Sequence, residues 1–350
     1  MRIKEKLTGR VETAAAKVIP KLPTTAVRKM AGDPLVIDGR TLDPHLQLVA
    51  GQAAGAPPLS TLTPDQARAA ADESFAMTNG SRADGVAVSD RTIPGPVTSG
   101  AGLPVRIYQP DGADGLRPGV LFVHQGGWVI GGLGTGDTFC TRLAAELGAV
   151  VVSVDYRLAP GTRLPAQHDD VDAAWAWMRS NADGLGVDTD RMVVCGDSAG
   201  GQMSAALCQR LRDRGEPQPA VQVLVYPAVD MTAEDGSMVT CAETFPLDTA
   251  TMDYFMAHAL PAGFDRADPV VSPALHPELG GVAAAVVVTA GFDPLRDQGI
   301  AFALALRAAG VHVVDRCEDS MCHAFLSLGG VSPGAAEAAG RLIDDIAALV

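Results

Sequence analysis

The stretch VVCGDSAGGQMSA, Val193 to Ala205, turns an apolar run into a helix through a very short corner. One serine, Ser198, stands at the tip, flanked at fixed spacing by Gly196 and Gly200. A strand that reverses so sharply crowds its own backbone and leaves no room for Cβ atoms beside the corner, which explains the glycines. The corner lifts the serine hydroxyl above the end of the strand. It also sets that hydroxyl beside a helix N-terminus, where free N–H groups and the positive end of the helix dipole gather. A glycine turn carrying a solvated serine would give the same short pattern, so the surroundings have to decide.

Outward from this corner the chain alternates. PGVLFVH (Pro118 to His124) and AVVVSVDY (Ala149 to Tyr156) are continuous apolar runs, as buried parallel strands require. RMVVC, AVQVLVYP, VAAAVVVTAG and VHVVDRC read as further strands, and LPVRIYQ as an earlier one. Helical patterns fall between them, at Thr138 to Leu147, in VDAAWAWMRSNA, after Ser198, in PLRDQGIAFALALRAAG and at the C-terminus. Alternating strands and helices predict an α/β fold, a mostly parallel sheet with helices on both faces. Before about Gly80 the texture differs, with helical pieces broken by proline and glycine. Ile3, Leu7, Val11, Ala14 and Val18 recur at helical steps, and Thr63-Pro64-Asp65 is a helix-start signal. The expected organisation is an N-terminal region over residues 1–82 and an α/β domain over residues 83–350. The latter carries an irregular, helical insertion at about 230–268.

Composition sets the outer limits. Hydrophobic residues make up 47% of the 350, enough for a large core, and the formal charge of −14 argues against a nucleic-acid partner. No run approaches a membrane span, and the N-terminus has no uninterrupted apolar segment of the secretory kind. The six cysteines are scattered and never form CxxC, so neither a metal site nor a disulfide framework is expected, and buried thiols in a reducing cytoplasm are. Residues 1–30 hold eight Lys and Arg against two Glu, a basic segment on an acidic body. An amphipathic helix there can dock on that body as a cap, make weak peripheral contact with an anionic membrane, or stay solvated. Docking is the expected outcome.

A serine needs a base to take its proton and an acid to orient that base. Four histidines follow Ser198. His312 falls inside a strand pattern, His258 in the insertion and His276 in a proline-bounded loop. His323 lies in EDSMCHAF, read as a loop after the last strand. Asp293, in GFDPLRD, follows the strand VAAAVVVTAG, with Asp297 as its rival. Asp293 and His323 therefore fall at carboxyl ends of strands, on the edge where Ser198 stands and where open α/β sheets place their sites. Each alone has a plainer reading, Asp293 as an N-cap and His323 as a surface residue. Together, in the order Ser, Asp, His, they match the G-x-S-x-G hydrolase arrangement. The glycine-rich HQGGWVIGG, from His124, can aim backbone N–H groups at a developing oxyanion.

These marks together resemble the hormone-sensitive-lipase-like carboxylesterases, the HGGG branch of the α/β-hydrolases. They are HQGGW for HGGGW, DYRLAP (Asp155 to Pro160), GDSAGG, DPLRD and His323-Ala324-Phe325. PLVIDGRTLDPHLQLV (Pro34 to Val49) is similar to the N-terminal part of mycobacterial-type members. The resemblance implies the α/β-hydrolase fold with a helical cap made by the N-terminal segment and the insertion. It implies Ser198 as nucleophile, His323 as base and then acid, and Asp293 as the orienting carboxylate. It also implies an oxyanion hole from the N–H groups of Gly126, Gly127 and Ala199, with His124 holding the loop. Two positions depart from the family pattern. Gln125 replaces its first glycine, which would strain the backbone if φ is positive there, and Gly161 replaces its glutamate after DYRLAP.

The function expected on this footing is cofactor-free hydrolysis of small acyl esters of short to medium chain length. An amidase or deacetylase could use the same three residues. A ligand-binding relative that lost its chemistry is disfavoured by their retention. Cys322 and Asp197 are expected to be structural, and Trp128 to wall a pocket or simply pack. Met and aromatic residues from Asp248 to Leu260 are expected in cap core, and a homo-oligomer is left open.

Overall fold

The computed structural model describes residues 19–96, 100, 102–112 and 115–350. The helix expected over Ile3 to Val18 lies outside them. A short hairpin, β1 (Val36–Ile37) and β2 (Arg40–Thr41), comes first. The strands that follow are β3 (Val86–Pro94), β4 (Gly102–Pro110), β5 (Arg117–Val123), β6 (Val150–Val154) and β7 (Val187–Asp197). The last three are β8 (Val221–Val225), β9 (Ala284–Phe292) and β10 (Val313–Cys322). Among the described residues β3 to β10 form one sheet in the order β10-β9-β8-β7-β5-β6-β4-β3. Every pair from β10 to β6 is parallel, while β4 pairs antiparallel with both β6 and β3.

The apolar runs explain the centre. Every residue of β6 and β8 is buried, because helices cover both faces. Alternate residues of β5 feed opposite layers. Leu121 and Val123 join the core that holds Trp175, Met178 and Met203, from the helices Ala166–Ser180 and Ala199–Asp213. Val120 and Phe122 join Phe139, Leu143 and Leu342, from the helices Asp137–Leu147 and Pro333–Ala347.

Four differences from the sequence reading have local causes. Strand β3 is a largely exposed edge whose charged Asp90 and Arg91 hide its strand character while blunting the edge. The β1–β2 hairpin turns at Asp38-Gly39, both at positive φ. β10 runs on through Cys322, with a register irregularity between Glu318 and Cys322, so His323 follows a strand end directly instead of sitting in a long loop. His312 precedes β10, at the opposite edge from Ser198.

The N-terminal helices Thr24–Ala31, Pro44–Ala53 and Pro64–Thr78 sit beside this domain. Thr63 caps the third, and with Gln66 it closes a reciprocal capping box. Arg296 joins Asp38 at 2.8 Å, and Arg40 joins Asp319 at 2.7 Å, so the hairpin is pinned to the ends of β9 and β10. Among the described residues no helix is long and apolar enough to cross a membrane.

Candidate active site

The corner at Ser198 is as cramped as its glycines imply. A Cβ on Gly196 would lie 2.2 Å from the Gly200 carbonyl oxygen, and one on Gly200 would lie 1.9 Å from that of Val123. Both obstacles are backbone and cannot swing away. Ser198 itself takes φ 55° and ψ −117°, a strained state for a residue with a side chain. Its N–H donates to the Val225 carbonyl at 2.8 Å, which holds the turn against β8.

Three strand ends bring the three candidate residues together. Ser198 follows β7, Asp293 follows β9 and His323 follows β10. The Ser198 Oγ and His323 Nε2 lie 3.0 Å apart, and His323 Nδ1 lies 2.7 Å from Asp293 Oδ2. With the ring proton on Nδ1 donated to Asp293, Nε2 is free to accept from the serine hydroxyl. Asp293 is fully buried, and its other oxygen accepts from the Leu295 N–H at 2.8 Å. The rival carboxylate faces elsewhere: Asp297 pairs with Arg296 and accepts from the Ser237 N–H. His258 and His276 also lie apart, His258 against the Tyr254 carbonyl and His276 against Asp213.

The loop after β5 carries the two glycines expected as donors. Gly126 and Gly127 have φ of 126° and 54°, and both line the same cavity as Ser198. Among the described residues the N–H groups of Gly126, Gly127 and Ala199 have no protein acceptor. His124 fastens the loop, its Nδ1 lying 2.6 Å from the Gln125 carbonyl oxygen and its ring stacked on Tyr156 at 4.1 Å. Burial pushes its imidazole down to about 4, so it stays neutral. Gln125 is not at positive φ and so carries no such strain; the side-chain-bearing residue of this loop at positive φ is Trp128, at 63°. Gln125 instead sends its amide to Ser327 Oγ, at 2.8 Å. At Gly161 a Cβ would make only an ordinary 3.5 Å contact.

Cys322 and Asp197 are both buried, and Asp197 bonds to a distant residue instead of locally at the helix start. Cys322 is fully buried, and burial raises its thiol well out of the reactive range. Asp197 is buried, accepts from the Tyr226 hydroxyl at 3.1 Å, and is pushed by burial up to about 7. Trp128 both packs in the core and lines the cavity.

That cavity has a volume of about 870 Å³ and opens over Ser198 and His323. Leu59, Leu62 and Phe75 of the N-terminal region form part of its wall, and Met252, Phe255 and Met256 form another part. The last three lie on one face of the insertion helix Thr249–Ala259. Their three- and four-residue spacing marks one helix face in the sequence, but cannot say which cavity that face lines. Arg68 ties the N-terminal region to the donor loop through a 3.0 Å bond to the Val129 carbonyl, and to the segment after β6 through a 2.7 Å bond to the Ala159 carbonyl. Among the described residues no group of three or more His, Cys, Asp or Glu side chains is arranged to hold a metal ion.

Residues 120–327 match the model of a family described by the α/β-hydrolase fold. The chain is 39% identical to the carboxylic ester hydrolase LipN of Mycobacterium tuberculosis, over 98% of this chain and 93% of that protein. It is 36% identical to the ethyl acetate hydrolase of Pseudomonas putida, over 82% of this chain and 91% of that one. Among solved structures it resembles the ester hydrolase EH1AB1 from the metagenome of Lake Arreo, with TM-score 0.82 and 37% identity, covering 88% of this chain and 98% of that one.

Proposed function

Because the chain belongs to the α/β-hydrolase-fold family, in its hormone-sensitive-lipase-like esterase branch, and is a carboxylic ester hydrolase, we propose that Ser198, His323 and Asp293 carry its chemistry. The observation behind this reading is the hydrogen-bonded line from Ser198 through His323 to Asp293, opening on the cavity. His323 takes the hydroxyl proton on Nε2 as Ser198 Oγ attacks the ester carbonyl. Asp293 steadies the imidazolium that forms. The tetrahedral oxyanion is received by the N–H groups of Gly126, Gly127 and Ala199, which are already in place and need no reorganisation. His323 returns its proton to the departing alcohol, which leaves an acyl-serine. Water, deprotonated by the same ring, then releases the acid.

The substrates of this reading are small acyl esters of short to medium chain, held by the apolar wall of the cavity. The N-terminal region and the insertion at about 230–268 act as the cap, since both contribute to that wall. Six free cysteines, five of them buried, support work in a reducing cytoplasm. The basic residues 1–30 are read as docking on the acidic body, with weak membrane contact as the alternative that liposome co-sedimentation tests: salt-sensitive binding to anionic vesicles favours the membrane, and no binding favours docking.

The reading as a whole is tested by turnover of p-nitrophenyl esters from acetate to dodecanoate, with one matching anilide. Acetate to octanoate should be hydrolysed well and the anilide barely. An anilide cleaved faster than the acetate ester would reassign the chain to amide chemistry.

A further inference from the structure

Gln125 stands between His124 and Gly126, at the root of the donor loop. Its side chain is only 3% exposed and borders the cavity. Its amide Nε2 donates to Ser327 Oγ at 2.8 Å, across 202 residues of sequence. Ser327 is itself buried and closes the short turn Phe325–Ser327, immediately behind His323.

This bond joins two loops that no strand ladder aligns. The donor loop leaves the end of β5, and the histidine turn leaves the end of β10, at the far edge of the sheet. Apart from the His323 side chain, the other hydrogen bonds from that turn to its surroundings are longer: 3.3 Å from the His323 N–H to the Phe292 carbonyl, 3.4 Å from the Leu326 N–H to the Tyr226 hydroxyl, and 3.4 Å from the Ser327 hydroxyl to the Thr135 carbonyl, farther along the same donor loop. The reaction requires both loops in register at once, because His323 must face Ser198 while Gly126 and Gly127 face the oxyanion. Small misplacements of such groups are costly. We propose that Gln125 is a positioning residue: through Ser327 its side chain locks the donor loop to the turn that carries His323. This rests on the assignment of Ser198, His323 and the glycine donors made above.

The test measures kcat and KM on p-nitrophenyl acetate, with melting temperature, for Gln125→Met, Ser327→Ala, the double variant and Ser327→Thr. A buried bond between neutral groups is worth a modest factor, so each of the first two should lower kcat about fivefold to tenfold, with KM unchanged within about twofold. The double variant should be no worse than Ser327→Ala, which removes the bond from Gln125 together with the longer one, 3.4 Å, from the Ser327 hydroxyl to the Thr135 carbonyl. Ser327→Thr, which keeps the hydroxyl, should retain most of the rate. A side chain that merely fills space would lower the melting temperature and leave kcat within about twofold, and that result, or losses that multiply in the double variant, overturns the proposal. If Gln125→Met does not fold, Ser327→Ala decides alone. Ser198→Ala in the same assay separates the two levels. If it keeps its turnover, the assignment of the reacting residues fails and the proposal with it. If it is inactive while Gln125→Met is unchanged, only the role of Gln125 falls.

Discussion

Gly127 and Phe255 are in direct contact: a Cβ built on Gly127 would come within 2.2 Å of the Phe255 ring. The donor loop and the insertion helix thus share one wall, and the glycine, at φ 54°, is required both by its backbone and by its neighbour. Gly127→Val should fold but lose about a hundredfold or more in kcat, because a branched side chain displaces an oxyanion donor. Gln125→Gly, which leaves both glycine donors in place, should lose far less. Steady-state kinetics on the acetate ester check this, and equal damage from the two changes would remove the donor assignment.

Asp293 and Asp297 differ by four positions and by everything around them. Asp293 is fully buried with one oxygen 2.7 Å from His323, whereas Asp297 serves Arg296 and the Ser237 N–H. Asp293→Asn should keep the fold and lower kcat by about 10⁴, since an amide favours the wrong imidazole tautomer. Asp297→Asn should stay active and melt earlier. A dead Asp297→Asn beside an active Asp293→Asn would reverse the roles.

Asp197 gives a pH signature in stability. Burial pushes its carboxyl up to about 7, so the folded chain keeps a proton that the unfolded chain releases near the ordinary aspartate value of 3.8. Stability from this group therefore falls as pH rises from about 4 to about 7, and stays low above. Buried His124 and His168, both pushed down to about 4, act in the opposite sense and cost stability as pH falls from 6.5 towards 4. They are common to wild type and variant and cancel in a comparison. Asp197→Asn should raise the melting temperature relative to wild type more at about pH 8 than at about pH 5. A difference that is the same at both would show that Asp197 is not held protonated.

Met252 borders the cavity from the insertion helix. Met252→Trp should narrow the acyl space. Turnover of the octanoate ester should fall at least several-fold relative to that of the acetate ester, which should change little. An unaltered chain-length profile would argue that the insertion does not bound the acyl pocket.

Much of this was legible in the sequence, for reasons tied to particular residues. Gly196 and Gly200 announced the corner because no other residue fits there. Asp293 and His323 could be chosen because strand ends in a parallel sheet share an edge. The polar edge strand β3 escaped notice because solvent on its exposed positions erases the alternation that marks a strand. The reach of β10 escaped because EDSMC carries turn-forming residues, and only pairing with β9 makes it strand. The positive φ that would have strained Gln125 falls on Trp128, since a glycine-rich loop can distribute its positive φ angles in more than one way. The Gln125–Ser327 bond spans 202 residues, and nothing local in either segment signals it.

The central claim, that Ser198 is the nucleophile, is tested most directly by covalent trapping. The protein would be treated with a p-nitrophenyl alkylphosphonate, and the adduct located by peptide mass spectrometry while residual esterase activity is followed. The account predicts a single adduct on the peptide that contains Ser198, activity lost in proportion to labelling, and no labelling of Ser198→Ala. An adduct on another residue that tracks the loss of activity, or a Ser198→Ala variant that still labels and still turns over ester, would contradict it.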